Sequence, residues 1–130
     1  MIDDLEGIPA AALPIWRRLC AEEPVPVHEL FSEVQRYEQT LDQRADWDES
    51  KVDATLARDL VQASNRLLGT LTSSSPETTR RLVQAAVRYF LIDEDADADL
   101  DSILGLDDDA EVLNAVLRHL GHADWQVAIP

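Results

Sequence analysis

Apolar residues in this chain recur every three or four positions, and that spacing restricts the fold to helices packed on helices. Val27, Leu30, Phe31, Val34, Tyr37 and Leu41 form one stripe. Val52, Leu56, Leu60, Ala63, Leu67 and Leu71 form a second. Leu82, Val83, Ala86, Val87, Tyr89 and Phe90 cover a broader face, which predicts the most buried helix of the set. Leu113, Val116, Leu117 and Leu120 make a narrower one. Near the start, Ile15, Trp16, Leu19 and Cys20 share a face, with Arg17 and Arg18 turned away from it. No stretch alternates apolar and polar residues as a half-buried strand would. The expectation is all-α: one domain over residues 1–130, built as a bundle of about five helices.

The punctuation sets the boundaries. Residues 1–8 read as a loose leader. A short helix follows from Pro9 to about Ala21, with Pro14 suited to a first turn. Glu22-Glu23-Pro24-Val25-Pro26 stops it, and the second helix runs from Val27 to about Ala45. The third spans roughly Glu49 to Leu71, capped by Asp48 or Ser50 and ended by Gly69 and the serines that follow. Ser75 is the expected N-cap of the fourth, with Pro76 at its first position and Glu77 in its first turn. That helix runs to about Ile92. Residues 93–106 read as an acidic loop. The last helix begins near Asp107 or Asp108 and stops at Gly121, and residues 122–130 form a tail anchored by Trp125.

Charge narrows the function. The formal net charge is −15. A phosphate backbone would repel such a chain, so nucleic-acid binding is not expected, and the same holds for anionic membrane surfaces. What the charge permits is simple solubility, a basic protein partner, or divalent cations. The lone cysteine, Cys20, excludes an internal disulfide and suits a reducing compartment. The start, Met-Ile-Asp-Asp-Leu-Glu, lacks the basic and apolar regions of a signal peptide. No apolar run approaches the roughly 20 residues that span a bilayer. A cytoplasmic protein is expected.

Residues 93–111 concentrate the acidity: ten of the 26 acidic residues fall there and no basic one. Together with the helix before and the helix after, this segment resembles the YkvA-like family of bacterial helical domains over residues 82–120. That family carries an apolar helix ending in Tyr and apolar residues. A loop Ser-Pro-x-Asp-Leu-Ile-Pro-Asp-x-Ile-Pro follows, then a Gly, then Asp-Asp-Ala opening another helix. Tyr89, Asp95, Asp99, Gly105, Asp108, Asp109 and Ala110 match in an ungapped register. Asp93, Ala98 and Ser102 stand where the family has proline, and Asp97 and Asp101 where it has isoleucine. The loop is therefore more acidic and less stiff than the family's. The resemblance implies a shape and a set of residues, and no reaction.

Three chemistries compete for these residues. In the first, Asp95, Asp97, Asp99, Asp101 and Asp108 supply oxygen ligands to calcium or magnesium. A twelve-residue calcium loop starting at Asp97 puts Asp97, Asp99 and Asp101 at positions one, three and five and Asp108 at twelve, with Ser102 in place of the usual glycine. In the second, the carboxylates are structural: Asp107, Asp108 or Asp109 caps the last helix, and Asp95 and Asp99 fix turns. In the third, Asp93, Asp97 and Asp101 form a docking surface for a basic protein, as an inhibitor or immunity protein facing a cationic toxin or nuclease would. An enzyme is not expected, and no cofactor beyond the cation. His28, His119 and His122 fall in no metal-protease pattern, and neither a phosphate-cradling glycine loop nor a Gly-x-Ser-x-Gly elbow is present.

Overall fold

The computed structural model describes residues 5–43, 54–95 and 103–128, and side chains over 5–40, 56–91 and 108–128. Among the described residues there are five α-helices and no strand: α1 Leu13–Cys20, α2 Val27–Gln43, α3 Ala54–Leu68, α4 Glu77–Asp95 and α5 Ile103–His119. Short 3-10 turns precede α1, at Ala10–Ala12, and follow α5, at Ala123–Trp125. The all-α expectation holds.

α1 is short because prolines bracket it. Pro14 lies in its first turn, where the missing N–H costs no hydrogen bond. The Ala21 N–H closes the far end on the Arg17 and Arg18 carbonyls, both at 3.2 Å. Pro24 and Pro26 then keep the chain extended until α2 begins. Trp16 and Leu19 are buried against the rest, while Arg17 and Arg18 are exposed, as their spacing requires.

The core is a single cluster fed by every helix. Trp16 of α1, Leu30 and Val34 of α2, Leu60 and Leu67 of α3, Val83 and Val87 of α4, and Leu113 and Val116 of α5 all belong to it. Each large apolar side chain buried this way contributes roughly 1.5–3 kcal/mol before entropy is counted. α4 is buried continuously from Leu82 to Val87, as its broad apolar face predicts. That continuity includes Gln84, 2% exposed, whose partners lie on another segment.

Three α4 residues spaced three and four apart face the link between α1 and α2. Gln84 Oε1 accepts the Val25 N–H at 2.8 Å, and Gln84 Nε2 donates to the Glu23 carbonyl at 2.9 Å. Arg81 Nη1 donates to the Glu22 carbonyl at 2.8 Å. Arg88 pairs with Glu33 at 2.9 Å and with Glu22 at 3.3 Å. The two prolines deny residues 21–26 the hydrogen bonds of a helix, and α4 supplies them from its side chains.

Two helix ends differ from expectation. The Pro76 carbonyl accepts the first helical bond of α4, from the Arg80 N–H at 3.0 Å, so Pro76 holds the cap position assigned above to Ser75. The Ser75 hydroxyl accepts the Thr72 N–H at 2.9 Å and closes the preceding turn. α5 begins at Ile103, not at Asp107 or Asp108, so Gly105 lies inside a helix rather than in a loop. Its other end is as expected. Gly121, φ 87°, accompanies bonds from its own N–H to the Arg118 carbonyl and from the His122 N–H to the Leu117 carbonyl, a Schellman closure. The caps proposed for α3, Asp48 and Ser50, lie outside the described residues.

Candidate functional site

The directions of the helices decide where the acidic segments meet. Val25 contacts Gln84, Glu33 contacts Arg88, and the Tyr37 ring stands edge-on to Phe90 with centroids 4.5 Å apart. These pairs advance together along both elements, so α2 and α4 run in the same direction. α3 packs beside α2 and α5 beside α4, and with only ten residues between Gln43 and Ala54 and seven between Asp95 and Ile103 each is entered from the end where its neighbour finishes. The ends of α2 and α4 and the starts of α3 and α5 therefore share one end of the bundle. Residues 42–53 hold five acidic and two basic residues, and 93–111 hold ten acidic and none basic. Those segments carry net charges of −3 and −10, which is all but two of the chain's fifteen net negative charges.

Helix dipoles do not neutralise this end. Two helices finish there and two begin, so their terminal partial charges offset one another. α4 adds Asp93, Glu94 and Asp95 to its last turn, where no basic residue accompanies them. Negative charge at a helix C-terminus opposes the dipole by roughly 0.3–1 kcal/mol for each exposed group.

The expected site residues divide among three settings. Asp93 and Asp95 lie in the last turn of α4. Asp97, Asp99 and Asp101 lie outside the described residues. Asp108 lies in the second turn of α5 and is half-buried. The capping role for Asp107, Asp108 and Asp109 is overturned. With α5 starting at Ile103, the free N–H groups of its first turn are spent before these residues are reached. Asp109 has a different setting, 1% exposed on the packed side of the helix beside Ala110, Val112 and Leu113. In the twelve-residue register from Asp97 to Asp108, residues 103–108 are helical. Among the described residues, no three His, Cys, Asp or Glu side chains gather as a metal-ligand group.

The other polar candidates settle elsewhere. Cys20 is buried, 5% exposed, in keeping with a small core side chain. His119 is exposed. His122 stacks on Trp125 with centroids 4.0 Å apart and planes 8° from parallel. Trp125 is half-buried, as a tail anchor should be, and the Arg66 guanidinium lies 4.3 Å from its ring centre. A cleft of about 400 Å³ opens between the leader and α5, lined by Leu5, Glu6, Gly7, Ala115, Arg118 and His119. A smaller one, about 170 Å³, lies between α3 and the tail.

Sequence reasoning missed two polar anchors. Gln84 and Asn114 each interrupt an apolar face, and each turns out to hold main chain of another segment. The signal was present as a carboxamide at a position where the helical period demands an apolar residue.

What fold and site define is, among the described residues, an all-helical bundle with Asp93, Glu94 and Asp95 in the last turn of α4 and Asp107, Asp108 and Asp109 in the second turn of α5. No family model, curated protein or solved structure matches this chain.

Proposed function

We propose that this chain is a non-enzymatic, acidic binding or regulatory protein that takes a basic protein partner at its acidic end. What supports the reading is the concentration of acidic residues in the sequence at 93–111, ten with no basic one, of which Asp93, Glu94 and Asp95 form the last turn of α4. An inhibitor or immunity protein set against a cationic toxin or nuclease needs this chemistry, because complementary charge speeds encounter and selects partners. In this reading the YkvA-like pattern over residues 82–120 is the scaffold. Asp93, Asp97 and Asp101, which depart from that pattern, are the contact residues. The setting is the cytoplasm, where Cys20 stays a thiol.

The test is affinity capture at low and high salt, using the wild-type chain and an Asp93→Asn/Asp97→Asn/Asp101→Asn variant. A basic protein held at about 0.05 M salt should be released at about 0.5 M, and the variant should hold it weakly. Capture of no basic protein at low salt would refute the reading.

A second reading is favoured by Asp93, Glu94 and Asp95 in the last turn of α4, a turn that contains no basic residue to complement the helix dipole. Calcium or magnesium held by Asp95, Asp97, Asp99, Asp101 and Asp108 would supply that complement. A rise in melting temperature on adding calcium is its expected sign, and a flat response to millimolar calcium sinks it.

A further inference from the structure

We draw no further inference here: the strongest candidate, the cleft of about 400 Å³ between the leader and the end of α5, carries nothing, because its Arg118 and His119 are the basic residues that complement the last turn of that helix, Glu6 opposes an anion beside them, and nothing in the structure shows what would occupy it.

Discussion

Arg88 of α4 grips Glu33 of α2 through two contacts, Nη2 to Oε2 at 2.9 Å and Nε to Oε1 at 3.3 Å. The side chains are 23% and 25% exposed, so water screens the pair only in part. Hydrogen bonding to Glu33 raises the Arg88 pKa, burial pulls it back, and the charges of Glu33 and Glu22 raise it further. A cation whose folded pKa is raised contributes its full stabilisation below its unfolded pKa and loses it only as pH climbs through the folded value. Arg88 therefore adds no pH dependence to stability across the neutral range. Arg88→Ala should cost about 1–2 kcal/mol in urea unfolding, above the usual surface pair because the fork is two-pronged. A double-mutant cycle with Glu33→Gln should return a coupling of roughly 1 kcal/mol.

Gln84→Leu keeps the bulk of the side chain and removes its two bonds. The Val25 N–H and the Glu23 carbonyl then lose their partner on α4. The expected cost is about 1–3 kcal/mol, read from chemical denaturation. Gln84→Glu should not restore it, because a carboxylate accepts from Val25 and has no proton to donate to Glu23.

Gly121→Ala isolates a backbone effect. The residue holds a φ of 87° and its surroundings are open. The loss should be about 1 kcal/mol, and Gly121→Asn should lose less, since asparagine tolerates this conformation better. Gly7→Ala should be worse than either, because a φ of 98° there is combined with the Ala115 Cβ lying 3.2 Å from where the methyl group would go. Thermal melts of the three variants give the ranking.

Melting temperature should rise with salt in the wild type, as ions screen like charges gathered where α2 and α4 end. Between about 0.02 M and 0.5 M sodium chloride, the Asp93→Asn/Asp97→Asn/Asp101→Asn variant should show a smaller rise and start from a higher value. A steeper rise in the variant would show that these carboxylates are held by favourable contacts instead.

Helix existence was legible in the spacing of apolar residues, because burial enforces the 3.6-residue period wherever one face packs. Trp16, Leu30, Leu60, Leu82 and Leu113 all fell on the buried side their stripes demanded. The start of α5 was not legible. Aspartate is a strong capping signal, and three in a row at 107–109 point to a helix start there. A helix already docked through Ala110 to Leu117 extends backward at little cost, one bond per added residue, and a glycine at 105 does not stop it. The anchoring roles of Gln84 and Asn114 were hidden for another reason. Gln84 bonds main chain roughly 60 positions away, and no local pattern encodes such a partner. Of the acidic segment, the composition was plain; that its two ends are helical, through Asp95 and from Ile103, was not.

The parallel course of α2 and α4 has a consequence for motion in solution. It sets the acidic last turn of α4 and the acidic second turn of α5 toward one pole, and those two segments contribute an electric moment along the bundle axis. In the field of a cation-rich surface the chain would feel a torque before it feels contact, and it would arrive pole first.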